Sequence, residues 1–326
     1  MDQHIVINID NNFLPQAAAF AVSVMENGRL EVPPVFHVLA NRVSVENRLK
    51  FSSFIAGLGA VSVFYDLSSL DEILMEKLGR RAETGKFPST VLARILAAGY
   101  LPETVGKYLY ADADMIVRKS IADLWSMDLG DAIVGACPEP TIYEGYEKDQ
   151  GSGRKAYFNA GLLLVDRRKW EKEKITEKCM DWYGENNGQF SFADQDILNA
   201  VLCGKICSLP QKFDFFTNYH YQNYASLVKH APWYRDYVTE AEYEEAQKDP
   251  VIIHFAGDER PWYQGNRNPY RDEYRKYLLK TPWMEEKQVE GKEAYMAFYH
   301  AVNVLSEKIP GFRSLVSGIY RKTRKD

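Results

Sequence analysis

Apolar residues in this chain gather into short runs separated by helix-length stretches. Ile5-Val6-Ile7-Asn8-Ile9 reads as a buried strand that ends at Asp10-Asn11-Asn12. Gln16 to Asn27 is almost continuously apolar and long enough for a buried helix. Val35 to Leu39 is a second strand, Ser44 caps a helix running to Gly57, and Val61 to Tyr65 is a third strand. Such alternation predicts βαβ units and a mostly parallel sheet, an α/β class. Ligands on such sheets sit beyond the carboxyl ends of the strands. Asp10-Asn11-Asn12 lies at one such end, where a polar turn and a nucleotide contact are both open.

The pattern continues to the middle of the chain. Pro88-Ser89 opens a helix through Arg94 to Gly99, and the spacing favours an exposed Arg94. Ser120 to Met127 is a short helix and Asp131 to Cys137 a strand. Glu139 to Arg154, rich in Gly, Pro and charge, is too polar for core and reads as a long loop of the kind that forms lids. Tyr157 to Val165 is a buried strand interrupted by Asn159-Ala160-Gly161, where the glycine marks tight packing or the approach of a ligand. Arg168 to Asn187 is one amphipathic helix. Another begins at Ala193-Asp194-Gln195-Asp196, whose acids would suit the helix dipole in any case. Val251 to Gly257 is a last strand carrying His254, followed by Asp258-Glu259-Arg260-Pro261-Trp262. Beyond Trp262 the regular pattern stops. Tyr270 to Lys280 is a charged helix, and 294–326 mixes aromatics with Lys308, Arg313, Arg321, Lys322, Arg324 and Lys325.

One stretch stands apart. Lys107-Tyr-Leu-Tyr-Ala-Asp112-Ala-Asp114-Met-Ile-Val117 is an apolar strand broken by two aspartates. In extended backbone, positions i and i+2 share a face about 7 Å apart. Asp112 and Asp114 would then aim at one spot, and buried carboxylates need a positive partner. A hard divalent cation is the obvious candidate. His254 could add a nitrogen to it, and a mixed O/N set favours Mn²⁺, with Mg²⁺ as the alternative.

Composition narrows the partners. The chain has 326 residues, 46% hydrophobic and 26% charged, enough for a sizeable core. A formal charge of −5 argues against a general nucleic-acid binder. Four scattered cysteines form neither a disulfide framework nor a four-ligand zinc site, so buried free thiols are expected. Met1-Asp-Gln-His leads directly into the first strand, and no apolar run approaches the roughly 20 residues of a membrane span. A cytoplasmic location is expected. The basic, aromatic end at 294–326 fits either peripheral docking on an anionic membrane or a packed helix with a cationic tail.

There is no G-x-G-x-x-G after the first strand, no G-x-S-x-G and no G-x-x-x-x-G-K-[ST]. An aspartate-based phosphatase also begins with D-x-D after a strand, but Ile116 and the mid-chain position fit it poorly. A non-catalytic nucleotide-sugar binding module is the other alternative.

Several stretches occur together in a known order: Ile5 to Asn12, Arg94, Tyr108 to Val117, Leu124-Trp125 with Asp128-Leu-Gly130, and Tyr157 to Val165. Asp194 to Asn199, Thr217-Asn-Tyr219 and His254 to Trp262 complete the series. The chain resembles the family 8 glycosyltransferases, especially bacterial lipopolysaccharide galactosyl- and glucosyltransferases. The resemblance implies a GT-A fold over residues 1–265, with 266–326 as a helical extension. It implies a retaining enzyme that moves a hexose from a UDP-sugar to a glycan or glycolipid acceptor. By resemblance Asp112, Asp114 and His254 match metal ligands, and Asp10, Asn11 and Asn12 match uridine contacts. Arg94, Ala113, Asn159, Ala160, Asp194 and Gln195 match positions around the donor, with the Gln195 amide oxygen facing the anomeric carbon. Gly257 and Arg260 match the diphosphate end. Arg260 stands where the family usually has Lys, and Asn11 where galactosyltransferases often carry Asp.

Overall fold

The computed structural model describes residues 3–78, 89–142, 156–186, 192–285, 287–309, 312 and 316. Its strands, in chain order, are β1 (His4–Ile9), β2 (Val35–Ala40), β3 (Val61–Asp66), β4 (Lys107–Ala111) and β5 (Met115–Val117). They continue with β6 (Val134–Pro138), β7 (Phe158–Asp166), β8 (Ile206–Ser208), β9 (Phe215–Phe216) and β10 (Ile252–His254). Seven form one sheet in the order β3-β2-β1-β4-β7-β6-β8, and three form a small sheet, β5-β10-β9. In the large sheet only β7 runs against its neighbours, β4 and β6. The mostly parallel expectation is met.

The period-2 alternation of the strands feeds two cores, one on each face of the large sheet. Ile5, Ile7 and Ile9 of β1 with Leu109 and Ala111 of β4 enter the first. Val6, Tyr108 and Tyr110 enter the second. The apolar helix lies at Leu14–Asn27, opened by Pro15 in its first turn, and covers the first face. The Ser44 hydroxyl accepts from the Asn47 N–H at 3.2 Å, the cap that the sequence signals. Trp283, beyond the α/β portion, also belongs to the first core.

Four expectations change. The stretch 107–117 is not one strand: β4 ends at Ala111 in the large sheet and β5 starts at Met115 in the small one. Asp112 and Asp114 therefore meet across a turn between sheets, not along one strand face. The helix expected over 168–187 is two helices, Arg167–Lys172 and Ile175–Glu185, separated at Lys174 with φ +52°. Glu139 is buried, whereas residues 143–154 of the expected lid lie outside the described residues. The four cysteines are free, but only Cys137 and Cys179 are buried; Cys203 is exposed and Cys207 half-buried.

Candidate active site

The inter-sheet turn explains how the acidic pair finds a third partner. β10 runs antiparallel to β5 with His254 opposite Met115, and the Phe255 N–H donates to the Asp114 carbonyl at 2.9 Å. That register carries the imidazole to the turn. One ligand atom from each of Asp112, Asp114 and His254 lies within 4.8 Å of the others. His254 Nε2 is 3.3 Å from Asp114 Oδ1 and 3.9 Å from Asp112 Oδ2. The other ring nitrogen, Nδ1, is 2.8 Å from Asp214 Oδ1, which leaves Nε2 turned toward the two carboxylates. Gly161 makes room: a Cβ there would overlap the His254 ring and stand 2.9 Å from Asp112 Oδ2. The interruption in β7 is therefore a close approach to the site. Two carboxylates and one imidazole nitrogen, on a floor without a side chain, fit a divalent cation.

The electrostatics of the trio are unequal. Burial raises the Asp112 pKa above the usual carboxylate range, against the pull of Arg94. Burial also opposes the Asp114 charge, yet His254 and Arg260 outweigh it and hold that carboxyl below the usual range. For His254, burial disfavours the imidazolium, but Asp214 and Asp114 overcome it and lift the pKa to about 10. A cation bound to Nε2 would displace that proton.

A second layer joins the trio to the strand β7 and the helix Ala193–Val201. The Arg94 side chain is only 10% exposed, not on the surface as its sequence context favours. Its Nε is 2.6 Å from Asp194 Oδ2, and its Nη2 is 3.1 Å from Asp112 Oδ1. Its Nη1 donates to the Ala160 carbonyl, and the guanidinium lies 4.8 Å from the Tyr110 ring centroid. Asp194 is pushed up to about 6 by burial despite Arg94. Gln195 Oε1 accepts from Asn159 Nδ2 at 2.8 Å and from the Ala160 N–H at 3.0 Å. The neighbouring Asp196 is structural, accepting from the Tyr157 hydroxyl at 2.5 Å and the Phe192 N–H at 2.9 Å. Of the two acids in that first turn, one faces the site and one holds the fold.

The remaining residues flank this centre. Ala113 is buried in the inter-sheet turn. Arg260 Nη1 is 3.5 Å from Asp114 Oδ2, and its Nε donates to the Gly257 carbonyl at 3.0 Å. Asp10 follows β1, the parallel neighbour of β4; its Oδ1 caps the next turn, accepting from the Asn12 and Phe13 N–H groups at 2.8 and 3.1 Å. Asn11 faces the start of the Val45–Gly57 helix, where its Oδ1 accepts from the N–H of the capping Ser44 and from Asn47 Nδ2, each at 3.1 Å. Asn12 is exposed. These three residues have no hydrogen bond to the acidic trio among the described contacts.

Two residues escape sequence reasoning. Asp214 is fully buried and partners His254, and its signal is the acid inside Phe213-Asp214-Phe215-Phe216. Glu139 accepts from the Thr141 N–H at 2.9 Å, and burial raises its carboxyl to about 7. Its charged, loop-like context hid it.

A mixed sheet with an acidic inter-sheet turn at its carboxyl edge is the arrangement of a GT-A glycosyltransferase. The galactosyltransferase LgtC, solved with donor and acceptor sugar analogues, superposes with a TM-score of 0.69 at 26% identity, over 86% of this chain and 96% of that one. The family model for glycosyl transferase family 8 matches residues 4–265, and the chain belongs to that family. General stress protein A of Bacillus subtilis is 26% identical, spanning 86% of this chain and 94% of the relative. A lipopolysaccharide 1,2-glucosyltransferase of Escherichia coli is 23% identical, spanning 84% and 77% respectively. Family membership sets the phosphatase reading aside.

Proposed function

We propose that this chain is a metal-dependent, configuration-retaining transferase that moves galactose or glucose from a UDP-sugar to a glycan or glycolipid acceptor in surface-glycan assembly. The observation that carries this reading is the convergence of the Asp112, Asp114 and His254 ligand atoms within 4.8 Å in a family 8 chain. Mn²⁺ suits that donor set, with Mg²⁺ as the alternative. A divalent ion held there supplies Lewis-acid stabilisation to the departing diphosphate.

The chain's own residues do the rest. Arg260 adds positive potential at the diphosphate end, and Gly257 and Ala113 allow close backbone approach. Arg94 orients the Asp194 carboxylate for donor hydroxyls, and Asn159 and Ala160 fix Gln195 beside it. Asp10, Asn11 and Asn12 receive the uridine. An amide oxygen that already accepts two hydrogen bonds is a weak nucleophile, which favours front-face attack over double displacement. In that step the acceptor oxygen bonds to the anomeric carbon as the carbon–phosphate-oxygen bond breaks, and the acceptor proton passes to the leaving phosphate oxygen. A donor screen with Mn²⁺, following UDP release from each UDP-sugar, tests the reading. Release from none of them across a broad acceptor panel contradicts it, and a β-linked product from an α-linked donor contradicts retention.

Residues 1–265 are read as the catalytic unit, in line with the extent of the family match, and 266–326 as its extension. Among the described residues no helix is long and apolar enough to cross a membrane. A cytoplasmic enzyme touching the anionic inner membrane face through 294–326 fits the exposed Phe298 and Leu305 and the cationic tail sequence. Co-sedimentation with anionic but not zwitterionic vesicles is expected; equal sedimentation with both contradicts the electrostatic part.

A further inference from the structure

The helix Glu293–Lys308 lies beyond the family-matched segment, and its buried face is more polar than apolar. Asn303 and Ser306 are buried beside Met296, whereas Tyr295, Phe298 and Leu305, with Ile309 just past the helix end, are 39%, 59%, 41% and 49% exposed. A helix that only covered an apolar core would turn its apolar stripe inward. What its inner face meets is the turn that carries Gly257 and Arg260. The Tyr295 hydroxyl donates to Asp258 Oδ2 at 2.6 Å. Asn218 Nδ2 donates to the Tyr299 hydroxyl at 3.3 Å. His300 Nδ1 lies 3.0 Å from Glu259 Oε1, and Asn303 Nδ2 donates to Glu259 Oε2 at 3.0 Å.

Glu259 is the junction of these contacts. It is 4% exposed, and its Oε1 also accepts from the Arg267 N–H at 2.8 Å. Its carbonyl accepts from Asn268 Nδ2 at 2.6 Å, so both its side chain and its backbone are held. Gly257 adopts φ +98°, and a Cβ there would stand 2.5 Å from Asn218 Nδ2 and 3.2 Å from the Tyr299 hydroxyl. Arg260 is bonded back to the Gly257 carbonyl, so the guanidinium facing Asp114 takes its direction from this turn.

We propose that the Glu293–Lys308 helix is a clamp that sets the conformation of the turn Gly257–Arg260 for the donor diphosphate, with Glu259 and Asn303 as positioning residues. This rests on the reading that the turn meets a UDP-sugar. Held turns present their donors without reorganisation, so the clamp acts on donor affinity more than on the bond-breaking step.

The test is a reciprocal pair of substitutions in the full chain. Asn303→Asp sets a second carboxylate against Glu259 and undocks the helix by like-charge repulsion. Adding Glu259→Gln restores a donor–acceptor pair with the polarity reversed. Calorimetry of UDP in Mn²⁺ is expected to show roughly tenfold weaker binding for Asn303→Asp, with donor KM rising in step and kcat within about threefold. Hydrogen exchange over 257–260 is expected to quicken. The double variant is expected to return within about threefold of the parent on both readouts. Parent-like UDP affinity and exchange in Asn303→Asp, or no recovery in the double variant, overturns the clamp. If the parent itself binds no UDP, the donor reading falls, and exchange decides the clamp alone: faster in Asn303→Asp supports it, unchanged overturns it.

Discussion

The two ends of the candidate donor site are built differently. At the metal and sugar end, ion pairs join Asp112, Asp114, His254, Arg94 and Asp194, and the Ala160 backbone links Gln195 to Arg94. Four of the six, Asp114, His254, Asp194 and Gln195, are under a tenth exposed. At the uridine end, Asp10 caps its own turn, Asn11 bonds to a neighbouring helix and Asn12 is exposed. The first end is an assembled electrostatic device that needs every member, because an uncompensated buried charge is costly. The second is a turn whose polar groups already have local work, so the uridine contacts proposed for it would be added at its surface. Substitutions should therefore have large effects at one end and small ones at the other.

The largest effect is expected at the trio. Asp112→Asn or Asp114→Asn should lower metal-dependent UDP release by roughly 10³-fold, the loss of several kcal/mol of leaving-group stabilisation, while circular dichroism stays parental. Arg94→Met comes next. It leaves Asp194 and Asp112 without their buried partner, and denaturant unfolding should show a loss of about 3–5 kcal/mol with activity lost as well. A loss below about 1 kcal/mol would show that the end is less tightly coupled than its geometry implies.

Asp214→Asn is a finer probe of the same end. The isosteric amide keeps the volume but weakens the hydrogen bond that directs His254, so Mn²⁺ affinity should fall about 10- to 100-fold by calorimetry. Glu139 offers a test in pH. Its carboxyl is raised from its ordinary value to about 7 by burial, so the folded state prefers it protonated. Its contribution to stability is complete below the ordinary carboxylate range and is lost as pH rises through about 7. Parent stability relative to Glu139→Gln should therefore fall by on the order of 3 kcal/mol from pH 4 to pH 8 in urea titrations. A flat difference would contradict it. The smallest effect belongs to the uridine end: Asn11→Ala should weaken UDP binding by no more than about fivefold. A loss as large as that at Asp114 would dissolve the contrast between the two ends.

The same contrast governs what could be seen in the sequence. The early strands and their mostly parallel class, the helix capped by Ser44, the acidic pair and His254 are legible, because each is a local pattern or a polar interruption of an apolar run. The break of 107–117 into two sheets is not, since it depends on β5 pairing with β10, far along the chain. Arg94 reads as a surface residue because its burial is decided by Asp112, Asp194 and the Ala160 carbonyl, each on a different element. Glu139 escapes because its charged context reads as loop, and Asp214 escapes for the same reason as Arg94. An isolated acid among aromatics announces burial but not its partner. The docking of the Glu293–Lys308 helix on Glu259 has no local signature beyond the misplaced Asn303 and Ser306.

The central claim is that Asp112, Asp114 and His254 together hold the metal that serves the donor. Its most direct test is a Mn²⁺ titration of chelator-stripped protein, following the free ion by electron paramagnetic resonance, with parent and Asp114→Asn side by side. Saturable binding in the parent, strengthened by UDP and lost in the variant, is the expected result. Equal Mn²⁺ binding by the two proteins would contradict the claim.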